Sequence, residues 1–263
     1  MTEQENKLMT LTIIGAGNLG WHLGHVFTNH GVKVDKIINR SIEPARHLAL
    51  EIGSQFTDDF GASNSDSDFT ILAINDSSLP ETIDKINVAD TIVLHTSGSA
   101  NIDIFSGKLD NYGILYPFQS FTKNVAIDFS QIPVCIEASD EITLKCIFRL
   151  ASTISSKVYV LSSEKRRILH LAGVISNNFT NHLIARTFDF LEKNDIDNQI
   201  VLPLIEETFN KIKLIGPREA QTGPARRKNM DTIERHLMIL GKEPELKNLY
   251  NVISESIIAY YSS

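Results

Sequence analysis

The 263-residue sequence has two cysteines, one tryptophan, no run approaching ~18 apolar residues and no excess of basic charge. Each shortage excludes something. Cys135 and Cys146 lie in apolar settings without metal-ligand spacing, so buried free thiols in a reducing cytoplasm fit better than a disulfide or a zinc site; no metal is expected. Without a long apolar run no membrane span is expected, and the polar, acidic start MTEQENKLMT lacks the basic and apolar parts of a signal peptide. The first seven residues are expected to be poorly ordered. A formal charge of −7 speaks against a general nucleic-acid binder, because phosphate backbones require a basic face. Heptads, repeats and extended low-complexity tracts are also missing, and SNSDSD at residues 63–68 reads as a short polar connection.

What is present is organised around LTIIGAGNLGWHLGHVFTNHGVKVDKIINRS, residues 11–41. A β-branched run ends directly at Gly15-Ala16-Gly17-Asn18-Leu19-Gly20, with helical periodicity behind it, which is the setting that gives G-x-G-x-x-G its meaning. Gly15 allows the tight turn, Gly17 lets a pyrophosphate reach the backbone, and Gly20 lets the helix pack close to the sheet. The amides of the helix's first turn then meet the phosphates where the helix dipole favours negative charge. Leu19, Leu23, Val26 and Phe27 form the buried stripe, and Gly31 stops the helix.

A second strand leads to Asn39-Arg40-Ser41. Arg40 stands 20 residues after Gly20, where NAD enzymes carry a carboxylate for the ribose 2′-hydroxyl. A guanidinium with a hydroxyl beside it suits a 2′-phosphate instead, so the cofactor reads as NADP(H). Such a charge-assisted contact is worth roughly 1.5–3 kcal/mol, about ten- to a hundredfold in preference over NAD(H). The plainer alternative makes Arg40 a solvated residue and Ser41 only the N-cap of a helix over residues 42–51.

Strands are expected at residues 54–57, 69–74, 91–96, 112–116, 133–137 and 157–161, with helices over 79–86 and 142–154. Continuous apolar runs such as FTILAI mark strands buried on both faces of a parallel sheet. Ligands in such sheets lie beyond the carboxyl ends of the strands, which places Ile74, Asn75 and Asp76 on the cofactor cleft; Asp76 as a mere helix cap is the competing view. Ser97-Gly98-Ser99 forms a second small-residue turn at that edge, able to hold nicotinamide or a substrate carboxylate, or simply to start the next helix. His95, inside its strand, reads as a packed histidine rather than a base. Gln119 is either a polar reader of substrate or an incidental neighbour of packed aromatics.

From residue 162 the periodicity is helical throughout, so the chain divides into a doubly wound α/β domain, 1–161, and an all-helical domain, 162–263. A long helix is expected through residues 165–193, and others over 201–214, 231–240 and 246–260, with the two Gly-Pro breaks at 216–217 and 223–224 enforcing a loop that is either short-helical or irregular. Lys and Arg number 11 against 19 Asp and Glu up to residue 160, and 14 against 13 after it. The relatively basic second part suits an anionic substrate. The cluster Arg226-Arg227-Lys228 is either a solvated end or a part of that site.

GAGNLG followed by NRS resembles the NADP domain of pyrroline-5-carboxylate reductases and deazaflavin-dependent NADP oxidoreductases. The turn HTSGS, the segment YPFQSF, the helix bearing SNNF and the loop TGPARRKN together resemble a narrower family of NADP oxidoreductases with a C-terminal domain of unknown function. The resemblance implies a Rossmann-type, mostly parallel sheet followed by a helical domain like that of 6-phosphogluconate dehydrogenases, often used for dimerisation. It implies cofactor contacts at Gly15, Gly17, Asn18, Leu19, Gly20, Asn39, Arg40 and Ser41, and substrate contacts around Ser97, Ser99, Asn177 and Arg226.

Departures from related patterns matter too. β-Hydroxyacid dehydrogenases of similar layout carry Lys-x-x-x-Asn on the long helix, but Gly173 precedes Asn177 by four residues and Val174 precedes Asn178. Prephenate dehydrogenases place a histidine after a serine there, whereas Ser176 is followed by Asn177. Alcohol oxidation therefore lacks its obvious base unless His170 or His182 substitutes. Hydride transfer to a protonated imine needs orientation more than a proton donor. The expectation is an NADPH-dependent reductase of a small anionic substrate bound between the domains, with Asn177 orienting it, Ser97 and Ser99 holding its acidic group, and a homodimer formed through the helical domain. A non-catalytic NADP(H) sensor and a dimeric interaction protein are the other readings left open.

Overall fold

The computed structural model describes residues 8–63, 67–88 and 90–262; the first seven residues and the middle of the polar connection lie outside them. Eight strands form one sheet: β1 (Thr10–Ile14), β2 (Lys33–Ile38), β3 (Gln55–Thr57), β4 (Phe69–Leu72), β5 (Ile92–His95), β6 (Tyr112–Pro117), β7 (Val134–Ala138) and β8 (Val158–Val160). Their order is β3-β2-β1-β4-β5-β6-β7-β8. Neighbours are parallel up to β6; β7 runs antiparallel to β6, and β8 parallel to β7. All of β4 and most of β1 are buried, as apolar runs covered on both faces require.

Helices α1 (Asn18–Asn29), α2 (Ile42–Ile52), α3 (Leu79–Lys85) and α4 (Glu141–Ile154) accompany the strands. Leu23, Val26 and Phe27 bury the inner stripe of α1 as expected, with Leu19 half-buried beside them. Gly31, at φ +77°, follows its end. Asp140 caps α4 by accepting from the amides of Ile142 and Thr143 at 2.8 and 2.9 Å. The Thr143 hydroxyl, donating to the other carboxylate oxygen at 2.6 Å, leads these bonds in holding the Asp140 carboxyl down at about 2.

The strand expected over 69–74 ends at Leu72. The glycine turn after β1 crosses at this point, and residues 73–75 leave the sheet to line a cleft.

After β8 every element is helical: α5 (Ser163–Gly173), α6 (Thr180–Glu192), α7 (Leu202–Ile215), α8 (Pro217–Ala220), α9 (Met230–Ile239) and α10 (Pro244–Tyr260). The uninterrupted helix expected through 165–193 carries a π turn over Val174–Phe179. The Ser176 hydroxyl bonds back to the Ala172 carbonyl at 2.8 Å, a contact that loosens a helix locally.

The chain packs as two units, 1–176 and 177–263, where the loss of strands in the sequence suggested 161/162. α5 stays with the first unit because its start is bonded to β7: Ser163 donates to the Glu137 carboxylate through its amide at 2.9 Å and its hydroxyl at 2.7 Å. A change of periodicity marks where strands stop, not where packing divides. Among the described residues no helix is long and apolar enough to cross a membrane, and no cluster of His, Cys, Asp and Glu could hold a metal ion.

Candidate functional site

The three glycines of the first turn have different physical duties. Gly15 adopts φ +109°, and a Cβ there would stand 2.2 Å from the Ala73 carbonyl oxygen. A Cβ on Gly20 would stand 1.8 Å from the Gly15 oxygen. These two belong to the fold. A Cβ on Gly17 would meet nothing within 4 Å, so its backbone borders open space. Gly17 is also the N-cap of α1, without a side-chain capping bond and without an acidic residue in the first turn. The leading amides of a twelve-residue helix are thus left for an anion, and the turn fits a dinucleotide pyrophosphate.

A cleft of about 270 Å³ brings together Gly15, Gly17, Asn39, Arg40, Ser41, Ile74 and Asn75, as the sequence suggested, and adds Phe60, Glu81 and Lys85, which it did not. Arg40 is exposed and makes no hydrogen bond or ion pair among the described residues. Ser41 occupies the N-cap position of α2 but forms no side-chain capping bond, so capping does not explain it. Asn39 braces the turn instead of standing free: its Oδ1 accepts from the Ala16 amide at 3.1 Å and its Nδ2 donates to the Ser41 carbonyl at 2.9 Å. Leu19 packs its side chain against the core, leaving only its backbone toward the turn. Asn18 is exposed in the first turn of α1.

The second turn, after β5, is held from several sides. The Ser97 amide donates to Nδ1 of buried His95 at 3.2 Å. Ser97 Oγ accepts from the amides of Ser99 and Ala100 at 3.0 and 2.9 Å, so this hydroxyl oxygen braces the turn. Ser99 donates to the Asp76 carboxylate. Asp76 therefore links the β4 and β5 turns and does not cap α3.

Beneath the turn lies Arg166 of α5, 1% exposed, which the sequence did not single out. Its Nε donates to the Ser97 carbonyl at 3.1 Å, its Nη2 to the Ala100 carbonyl, and its Nη1 to Glu137 at 2.7 Å. Burial, with Arg166 adding to it, pushes the His95 imidazole down to about 4 and keeps it neutral. The sequence view of His95 as a packed histidine agrees with this.

Gly98 carries the closest contact of the turn. A Cβ there would stand 2.5 Å from His170 Nδ1 and 2.8 Å from the Tyr116 hydroxyl. Those two atoms are themselves 3.0 Å apart, joining the end of β6 to α5. Burial and the neighbouring Cys135 push the Tyr116 phenol up to about 12, so it keeps its proton at neutral pH. The sequence named His170 as a substitute base but read Tyr116 only as part of a strand.

Gln119 is exposed, its Oε1 accepting from the Ser120 amide at 2.9 Å. In the second unit Asn177 is exposed on the π turn, His182 is exposed on α6, and the Arg226 guanidinium stacks 4.4 Å from the Tyr261 ring centre.

A mostly parallel sheet of this order, with a glycine turn feeding an uncapped helix at the point where strand order reverses, defines a dinucleotide-binding Rossmann protein. Residues 10–98 match the family described as NADP oxidoreductase, coenzyme F420-dependent, and residues 132–257 match a domain of unknown function, DUF2520. The solved structure of BF3122 from Bacteroides fragilis, provisionally described as an NADP oxidoreductase, is 34% identical, with TM-score 0.90 over 96% of this chain and 98% of that one. The chain belongs to this family and is an NADP-dependent oxidoreductase.

Two more distant structures share the fold. A pyrroline-5-carboxylate reductase of Coxiella burnetii is 15% identical, with TM-score 0.57 over 97% and 98% of the two chains. An imine reductase of Myxococcus stipitatus in complex with NADP+ is 14% identical, with TM-score 0.60 over 96% and 93%. No curated protein matches the chain in sequence.

Proposed function

We propose that the chain uses NADPH to reduce a small carbonyl or imine compound bearing an acidic group. The observation that carries this reading is the Tyr116–His170 pair set against Gly98, at the same end of the sheet as the glycine turn. NADPH supplies a hydride when bound. Gly17 and the first-turn amides of Asn18, Leu19 and Gly20 receive the pyrophosphate, Arg40 and Ser41 the 2′-phosphate, and Ile74 and Asn75 form the wall of the cleft.

The proton comes from Tyr116. Its phenol gives up the proton to the substrate oxygen or nitrogen, and the ring of His170, 3.0 Å away at Nδ1, relays a proton from solvent to restore it. A carbonyl carbon would take the hydride that bound NADPH supplies and its oxygen the Tyr116 proton, giving an alcohol. The proton donor that seemed missing from the sequence is this pair, which extends the chemistry from protonated imines to neutral carbonyls. Ser97 acts as a positioning residue. Ser99, fixed by Asp76, offers its oxygen toward the substrate's polar end, and Gln119 is assigned to orienting it.

The helical unit supports a homodimer. Neither α6 nor α7 buries a residue fully, and α7 leaves Leu204, Phe209, Ile212, Leu214 and Ile215 exposed. A second copy laid on that face would supply the core this unit lacks. The two free thiols suit a reducing compartment such as the cytoplasm.

The test is a titration with NADPH and NADH, followed by NADPH oxidation with small 2-oxoacids and cyclic imines. NADPH should bind at least about tenfold tighter than NADH. Tyr116→Phe should bind it normally but turn over about 10²–10⁴-fold more slowly. Tight binding with no turnover of either compound class would favour a cofactor sensor.

A further inference from the structure

The cofactor cleft holds two charged side chains beside Arg40. Glu81 and Lys85 stand one turn apart on α3 and both line the cleft. Glu81 Oε1 lies 2.6 Å from Lys85 Nζ. The Glu81 carboxyl is held below its ordinary range mainly by Lys85, with Arg40 contributing. An exposed pair at this spacing is normally a weak surface ornament of a helix. This one shares a cleft with a guanidinium that has no partner of its own among the described residues.

We propose that Lys85 is the second cation for the 2′-phosphate of NADP(H), and that Glu81 is the counter-ion which the phosphate displaces. The proposal rests on reading this cleft as the adenosine-phosphate end of the cofactor site. A 2′-phosphate monoester carries about −1.5 to −2 at neutral pH, more than one guanidinium balances. Lys85 supplies the missing charge on a flexible stem, so exchanging one oxyanion for another needs a rotamer change and no backbone movement. Arg40 gives planar, two-pronged recognition, and Lys85 gives a mobile point charge.

Glu81 then has a definite sign. It occupies Lys85 in the free protein, and its charge stays close to the arriving phosphate. Removing that charge should tighten NADPH, whereas removing Lys85 should weaken it. A pair that only stabilised α3 would give opposite behaviour: either substitution would loosen the helix, and any effect on the two dinucleotides would be equal.

The experiment measures heats of binding of NADPH, NADH and 2′,5′-ADP to the full chain and to Arg40→Ala, Lys85→Met and Glu81→Gln, with thermal melts as a folding control. Lys85→Met should weaken NADPH and 2′,5′-ADP about five- to twentyfold and leave NADH within about twofold; Glu81→Gln should tighten the two phosphorylated ligands about two- to fivefold. If Arg40→Ala weakens NADPH while the α3 variants leave it unchanged, the proposal fails and the cleft reading stands. If 2′,5′-ADP does not bind, or Arg40→Ala is also without effect, the cleft reading fails and takes the proposal with it. Equal losses for NADPH and NADH in the α3 variants, together with lower melting temperatures, would make the pair structural and overturn the proposal.

Discussion

The Tyr116 hydroxyl lies 3.0 Å from Nδ1 of His170, and both atoms occupy the space a Cβ of residue 98 would need. Gly98→Ala should therefore drive the two rings apart. The crowded atoms belong to side chains and none to the backbone, so the fold should survive with a melting point lower by a few degrees, roughly the effect of 1 kcal/mol. NADPH binding should hold, while the His170 imidazole resonances shift and turnover falls at least about tenfold. An unchanged imidazole spectrum in the variant would mean that Gly98 does not gate the pair.

The glycine turn separates structural from ligand duties. Gly20→Ala puts a Cβ 1.8 Å from a backbone oxygen that cannot yield, and should destabilise the protein by about 1–3 kcal/mol or more. Gly17→Ala meets no protein atom, so its melting curve should match the wild type. Its NADPH affinity should nevertheless fall at least about tenfold, because the methyl group stands where the pyrophosphate approaches. Equal NADPH affinity in Gly17→Ala and wild type would remove the pyrophosphate from this turn.

His95 should make stability depend on acid. Its pKa falls from 6.5 to about 4 on folding, so the unfolded chain binds a proton more readily. The stabilisation is complete above about pH 6.5 and is lost as pH falls toward 4, to a total of about 3 kcal/mol. Urea unfolding at a series of pH values would measure it. His95→Asn keeps an acceptor for the Ser97 amide and should abolish that part of the pH dependence.

Arg166 and Glu137 should behave as a unit. Arg166→Met leaves the Ser97 and Ala100 carbonyls without this donor and the Glu137 carboxylate without its counter-charge, bonded only to Ser163 among the described residues, and should cost about 3–5 kcal/mol. The double variant Arg166→Met/Glu137→Met should lose less than the sum of the single losses, as a double-mutant cycle would read. Strict additivity would mean that the two side chains are not energetically coupled.

The exposed face of α7 predicts the oligomer. Light scattering should give twice the chain mass, and Phe209→Glu with Ile212→Glu should lower it to that of one chain. A wild-type protein of single-chain mass at micromolar concentration would dispose of the dimer.

Legibility in the sequence followed the range of the forces involved. The turn from Gly15 to Gly20, the stripe of Leu23, Val26 and Phe27, and the position of Arg40 were readable because spacing along one strand–turn–helix unit dictates them. The π turn was not, since Ser176 looks like any polar helix residue until its hydroxyl bonds back to Ala172. Asp76 and Ser99 were each noticed at a strand end, but their bond spans 23 residues and exists only because β4 and β5 are neighbours.

By itself, the sequence determined a dinucleotide turn, the alternation of strands and helices, and a guanidinium where NAD enzymes place a carboxylate. These are local matters of sterics, periodicity and charge. Only the tertiary structure decided which polar residues have work to do. Tyr116 and His170, 54 residues apart, meet because β6 lies beside β5 and α5 returns over their ends. Arg166 reaches Ser97 across 69 residues for the same reason, and Glu81 and Lys85 share Arg40's cleft because α3 leaves the sheet beside the glycine turn. A lysine, a tyrosine or a buried arginine carries no mark in sequence of the group it will face; the order of strands supplies that.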